Sequence, residues 1–255
     1  MYNWENCTVL FTYWNTPKDV FLGSLGSAAK LDLDILIVDD CSSEEYKLVL
    51  QECIDEVKKS TTRNIQSITP DKKMQQEGCT FYGAERIKTE YVIRIDSDDI
   101  ISAIPQLPSG VEVADIVTSN KKIARSLNDW LIGGAPNING CVIRRSVLLN
   151  CYSDYEYLSK HHHYFHEDVY TNIWMFLTDT PIIAYGGEKT YKAVINGESK
   201  FKFTLGFNIK RLETLHAVCL RLNIPPEVYY KYSKIVYNSE PKRPLRLRKS
   251  PFRFL

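Results

Sequence analysis

The chain has 255 residues, 44% hydrophobic and 25% charged, enough to bury a sizeable core in one globular domain with appendages. No run approaches the roughly 18 apolar residues of a membrane-spanning helix, the start MYNWENCTVLF lacks the basic and apolar regions of a signal peptide, and the seven cysteines are scattered without a CxxC pair, which argues against a disulfide scaffold or a structural zinc site. The net charge of +1 divides unevenly, because residues 241–255, PKRPLRLRKSPFRFL, hold six of the 32 Lys+Arg and no acid, leaving 26 against 31 Asp+Glu in the body. That body has no basic stripe of the kind that binds nucleic acid. The expectation is a cytosolic protein with reduced cysteines and no nucleic-acid partner.

CTVLFTYW, 7–14, reads as a first strand. Thr16 as N-cap, Pro17 in the first helical position and Asp19 reaching back predict a helix from there to about Ala29. LDILIV, 33–38, is an aliphatic run suited to burial on both faces of a parallel sheet. Ser42 and Glu45 then stand at capping-box spacing, and Tyr46, Val49, Leu50, Cys53, Ile54 and Val57 recur with a helical period. A short strand near 64–69, a helix ending near Lys88 and the strand YVIRI, 91–95, complete a βαβαβαβ series, which predicts a parallel, right-handed, doubly wound arrangement. Ligands of such sheets sit beyond the carboxyl ends of the strands, at a switch in strand order. Asp39 and Asp40 follow one strand, and Asp96, Asp98 and Asp99 follow another, so both groups should open on one crevice.

Past residue 100 the alternation weakens. ADIVTSN, 114–120, and NGCVIRR, 139–145, read as strands around the loop LIGGAPNI. HEDVYTNIWMFL, 166–177, reads as a helix with Val169, Ile173 and Leu177 on one face and Glu167 and Asp168 in its first turn. PIIAY and TYKAVI are expected strands; 204–222 and 226–237 are expected helices.

Carboxylates gathered at strand ends repel one another unless a cation lies among them, and oxygen-only ligands suit Mg2+ or Mn2+. A metal held by one or two carboxylates completes its shell with phosphate oxygens and water, which points to a phosphorylated substrate. Taken alone, DSDD also serves as a polar turn or helix N-cap. Its neighbours add information: FTYWNTP (11–17), VDDCSS (38–43), IDSDD (95–99) and, after GCVIRRSVLL (140–149), HEDV (166–169) succeed one another along the chain. Over about residues 5–200 this series resembles the family 2 glycosyltransferases of the glycosyltransferase-A fold.

The resemblance implies an α/β fold, a doubly wound, mostly parallel sheet with a mixed acceptor-side half and C-terminal helices. It divides a single domain, 1–240, into a nucleotide-binding half (1–100), an acceptor-side half (101–200) and C-terminal helices (201–240), followed by the basic tail 241–255. The implied activity is inverting, metal-dependent sugar transfer of the hexosyltransferase type from a nucleotide-sugar, by family habit a UDP-sugar, to a saccharide or lipid-linked glycan. Tyr13 and Trp14 match the turn that contacts the base, with strand-end packing as the alternative for Trp14. Asp39 matches the carboxylate that accepts from the base imide; as an N-cap it would be replaceable by Asp40 or Ser42. Asp96 matches the carboxylate nearer the ribose and Asp98 the direct ligand of Mn2+ or Mg2+, with Asp99 able to share either role. Asp168 matches the catalytic base and Glu167 its companion. Trp130, Tyr152, Tyr155, Tyr157 and Tyr164 would stack on acceptor sugars or simply pack.

Two departures stand out. The family's arginine ahead of the DxD strand is replaced by Thr80, for which Lys72, Lys73 or Arg86 are candidate substitutes, and its later diphosphate-side histidine or arginine has no match in YKAVINGES. A domain that binds nucleotide-sugar without turnover is therefore a second reading, and a receiver-type module with paired aspartates is a third. His161, His162, His163 and His166 form a cluster whose consecutive members diverge, so an acceptor loop is the preferred reading over a metal site. The tail combines its basic residues with Leu245, Leu247, Phe252, Phe254 and Leu255, a composition suited to an anionic membrane surface or to a solvated end.

Overall fold

The structure, a computed structural model, describes residues 6–107, 109–110, 114–118, 126–127, 138–151, 167–178, 183–186, 190–192 and 205–238. The first hundred residues alternate as β1 (Cys7–Tyr13), α1 (Lys18–Ala29), β2 (Asp34–Asp39), α2 (Glu44–Val57), β3 (Ile65–Ile68), α3 (Gln75–Arg86) and β4 (Tyr91–Asp96). Every residue of β1 is buried, and β2 is buried after Asp34. These strands are thus covered on both faces, as their continuous apolar runs require. The later strands are short: β5 (Ile100–Ile101), β6 (Ile116–Thr118), β7 (Val142–Arg144), β8 (Ile183–Tyr185) and β9 (Tyr191–Lys192). Residues 145–151 are helical, and α4 (Glu167–Thr178), α5 (Leu205–Arg221) and α6 (Pro226–Asn238) follow.

Seven strands form one sheet in the order β3-β2-β1-β4-β7-β6-β8, while β5 and β9 pair separately. β1 to β4 are mutually parallel where they pair, β7 runs antiparallel between β4 and β6, and β8 is parallel to β6. The mixed half expected after residue 100 is present. A receiver module would instead place its first strand between the second and third, so this order excludes that reading.

Because the chain starts at β1, winds outward to β3 and returns to β4 on the other flank of β1, strand order reverses between β1 and β4. Their register pairs Thr12 with Asp96, and Tyr13 pairs with Asp39 on the opposite neighbour. Three strands consequently deliver their last residues to one place.

One hydrophobic layer joins Leu10, Leu36 and Val38 to Cys79, Phe81, Ile173 and Leu215. The other joins Val9, Phe11 and Ile37 to Phe21, Leu25, Leu50, Cys53 and Ile54. Alternate residues of β1 therefore serve opposite layers. Gly83 lets α3 lie close on the sheet, since a Cβ there would collide with Leu10 Cδ1 and lie 3.0 Å from Val38 Cγ2. None of the seven cysteines forms a disulfide, and all but Cys41 are buried.

Helix starts differ from the expectation. Pro17 and Ser43, not Thr16 and Ser42, occupy the N-cap positions of α1 and α2, and neither makes a side-chain cap bond. Thr16 Oγ1 lies 2.6 Å from Ser97 Oγ, while the Asn15 N–H donates to Ser42 Oγ at 3.0 Å and the Ser43 N–H to Asn15 Oδ1 at 3.0 Å. These residues tie one turn to another instead of closing their own helices. Asn15 (φ 45°) and Cys41 (φ 56°) hold left-handed backbone in the same turns, a conformation that cysteine rarely adopts and that functional sites commonly contain.

Candidate active site

The turns after β1, β2 and β4 enclose a cavity of about 860 Å³, bordered among others by Trp14, Asp40, Lys73, Gln76, Asp96 and Asp98. Trp14 is 53% exposed, and the Lys73 ammonium sits 3.5 Å from its ring centroid. A cation therefore lies on one face of an exposed aromatic ring, so a planar base would stack on the ring's other face or displace the lysine. Tyr13 also borders the cavity, but it is buried against Phe21 and its hydroxyl donates to the Thr16 and Tyr46 carbonyls at 3.1 Å.

Both carboxylates of VDD are buried. Asp39 is buried, accepting the Ser42 N–H at 3.0 Å on Oδ1 and the Thr69 hydroxyl at 3.4 Å on Oδ2. Asp40 borders the cavity, and its Oδ1 accepts the Met74 N–H at 2.6 Å.

Asp96 and Asp98 make part of the cavity wall acidic, and one carboxylate oxygen from each of Asp96, Asp98 and the buried Asp99 lies within 4.8 Å of the others. This all-oxygen set fits a hard divalent cation, Mg2+ or Mn2+. The three differ in what already holds them. Asp96 Oδ1 lies 2.7 Å from Arg94 Nη1 and accepts from Gln76 Nε2, while its Oδ2 accepts from Asn139 Nδ2 at 2.5 Å. Asp99 is buried and accepts from the Tyr191 hydroxyl. Asp98 is half-buried, and burial, reinforced by the Asp96 charge and opposed by Arg94, holds its carboxyl above the usual aspartate range.

A stability prediction follows from that direction. A carboxyl whose folded-state pKa is raised costs stability while ionised and stops costing it once pH falls low enough to protonate it. Metal-free Asp98→Asn is thus expected to melt a few degrees above the wild type at most at pH 7. The gap should shrink as pH falls into the carboxylate range. Melting curves at several pH values check this; a lower midpoint at pH 7 would mean that the Asp98 charge is compensated.

Of the proposed substitutes for the missing arginine, Lys73 alone is among the cavity-lining residues. Arg86 lies over the Tyr82 ring. Sequence reasoning did not single out Arg94, Gln76, Asn139 or Tyr191. Arg94 had a signal, a lone charge in an aliphatic strand that has to be paired if buried; the neutral polar residues had none.

Glu167 and Asp168 open α4, but their side chains lie outside the described part of the structure, as do Trp130, Tyr152, Tyr155, Tyr157, Tyr164, the four clustered histidines and residues 241–255. Among the described residues no helix is long and apolar enough to cross a membrane.

The same architecture occurs in solved structures. S. aureus TarS (residues 1–349, in complex with UDP-GlcNAc) aligns with a TM-score of 0.55 at 13% identity, over 91% of this chain and 72% of that one. The mannosyltransferase PcManGT from Pyrobaculum calidifontis, in complex with GDP-Man and Mn2+, aligns with a TM-score of 0.56 at 10% identity, over 92% and 73%. The chain has the glycosyltransferase-A fold. No protein-family model matches its sequence, and neither does any curated protein sequence. Within the glycosyltransferase-A fold seen here, the switch between β1 and β4 carries the cavity and the acidic wall together.

Proposed function

We propose that the chain is an inverting, metal-dependent glycosyltransferase that moves a sugar from a nucleotide-sugar, a UDP-sugar in the first instance, to a hydroxyl of a saccharide or lipid-linked glycan. The observation that carries this reading is the cavity at the strand-order switch, lined by Trp14, Lys73, Asp96 and Asp98, with the buried Asp99 clustered beside the two aspartates. The structural neighbours support it, since TarS is in complex with UDP-GlcNAc and PcManGT with GDP-Man and Mn2+.

In this reading the base stacks on Trp14, and Asp40, which borders the cavity, joins Asp39 as a candidate for reading its edge. Lys73, which lines the same cavity, offsets phosphate charge. Asp98 holds Mn2+ or Mg2+, with Asp96 and Asp99 shaping its surroundings. The cation's contribution, when bound, is to stabilise negative charge growing on the departing nucleoside diphosphate. Asp168, with Glu167 beside it, takes the proton from the acceptor hydroxyl as that oxygen attacks the anomeric carbon opposite the leaving group. One displacement inverts the centre. Calorimetric titration with UDP, GDP and dTDP, each with and without Mn2+, tests the donor assignment; the expectation is Mn2+-dependent binding of UDP, and equal binding of all three without metal would overturn it.

The tail adds a membrane role. Six basic residues near an anionic leaflet are worth about 1 kcal/mol each, and inserted Phe and Leu side chains would add to that. The full chain is expected to co-sediment with anionic vesicles at low salt and release at high salt. A chain ending at Glu240 should remain in solution yet keep activity on a soluble acceptor. Equal sedimentation of the two would remove the membrane role, and loss of activity would make the tail part of the catalytic domain.

A further inference from the structure

Arg94 is the largest fully buried side chain among the described residues, at 0% exposure in the central strand β4. Its Nη1 pairs with Asp96 Oδ1 at 2.7 Å, its Nε donates to Thr80 Oγ1 at 3.4 Å and its Nη2 to Thr12 Oγ1 at 3.5 Å. The Thr80 hydroxyl in turn donates to the Gln76 carbonyl at 3.0 Å, and the Gln76 amide donates to the same Asp96 oxygen. A guanidinium buried this deeply is tolerated only if it is paired and hydrogen-bonded. A fold that merely needed to fill this space could have used an aliphatic residue, as β4 does at Val92, Ile93 and Ile95. What an arginine adds here is a fixed positive charge directly behind the acidic wall.

That charge has a consequence for cations. Asp96, Asp98 and Asp99 together would present three negative charges to a metal, and the more negative such a site is, the more tightly it attracts a divalent ion without help. Arg94 offsets one of them and engages the Asp96 oxygen that a metal would otherwise compete for. We propose that Arg94 is the internal counter-ion of the site: by neutralising Asp96 it keeps the acidic wall too weak to retain a divalent cation alone, so that metal and nucleotide bind together, the phosphates supplying the missing negative charge. Arg94 is on this account a positioning residue that acts through Asp96. The proposal rests on the metal-dependent donor reading above and deepens it.

The test is a titration of the purified full-length chain with Mn2+ alone and with Mn2+ plus UDP, followed by the loss of the free-ion electron paramagnetic resonance signal. The wild type should bind Mn2+ weakly by itself and far more tightly with UDP. Arg94→Met and Arg94→Gln, each checked for folding by circular dichroism, should bind Mn2+ alone at least about tenfold tighter, because one unit charge a few ångströms from a divalent ion is worth that much even in a high effective dielectric. Arg94→Lys, which keeps the charge, should stay within about twofold of the wild type. A gain of affinity is a result that loosened packing would not produce. Unchanged or weaker Mn2+ binding in both folded neutral variants, or an equal gain in Arg94→Lys, would overturn the proposal. If the wild type bound no Mn2+ even with UDP while the neutral variants bound it alone, the masking role of Arg94 would stand and the donor reading would fall.

Discussion

Asp98→Asn is expected to remove Mn2+-dependent UDP binding, lowering affinity at least about a hundredfold while the protein remains folded. Asp96 is engaged by Arg94, Gln76 and Asn139, and Asp99 is buried against Tyr191. Asp98 is left half-buried on the cavity wall, its ionised form disfavoured by burial and by the neighbouring Asp96 charge. A divalent ion would reverse both penalties at once, by replacing lost solvation and separating like charges. The amide of asparagine retains the shape and one oxygen but not the charge. Calorimetry with UDP, in Mn2+ and again in EDTA, reads the effect. Unchanged binding in Mn2+ would take Asp98 out of the metal site and move the assignment to Asp96 or Asp99.

Asp168→Asn is expected to lower turnover at least about a hundredfold, the range for loss of a general base, with donor affinity unchanged. Asp168 lies in the first turn of α4, a helix whose Ile173, Trp174 and Met175 are buried in the same layer as β1 and β2. A base acts only on the acceptor proton, so kcat and donor affinity should part company. If both fell together, Asp168 would belong to the donor site, and Glu167 would be the next candidate for the base.

The first hundred residues were legible because their strands are aliphatic runs and their second helix has a clear period. LDILIV became β2, and Leu50, Cys53, Ile54 and Val57 became the buried face of α2. The other half was legible only as a set of elements. That β7 inserts antiparallel between β4 and β6 depends on a pairing of Tyr91 with Arg144 across more than fifty residues, which local pattern does not encode. Strands of two residues such as β5 and β9 carry no periodicity at all.

The site followed the same division. Clustered aspartates at strand ends announced the acidic wall. That both carboxylates of VDD are buried, each held by a nearby backbone N–H, was not announced, because those partners lie in the following turns. Asp40, held by the Met74 N–H, borders the cavity, and Asp39 accepts from Ser42 and Thr69. Thr16 and Ser42 were misassigned as caps for a related reason: a hydroxyl near a helix start satisfies local rules equally well when it bonds to a neighbouring turn. Gln76, Asn139 and Tyr191 reach Asp96 and Asp99 only through tertiary structure.

The central claim is that this cavity binds a nucleotide-sugar and that the acidic wall serves its transfer chemistry. It is tested most directly by measuring release of nucleoside diphosphate from a panel of UDP-, GDP- and dTDP-sugars, with Mn2+ or EDTA, for the wild type and Asp98→Asn. The account predicts Mn2+-dependent release from at least one UDP-sugar, absent in EDTA and in the variant. Release that persists in EDTA, or that Asp98→Asn leaves intact, would contradict it, as would the absence of release from every donor in the panel.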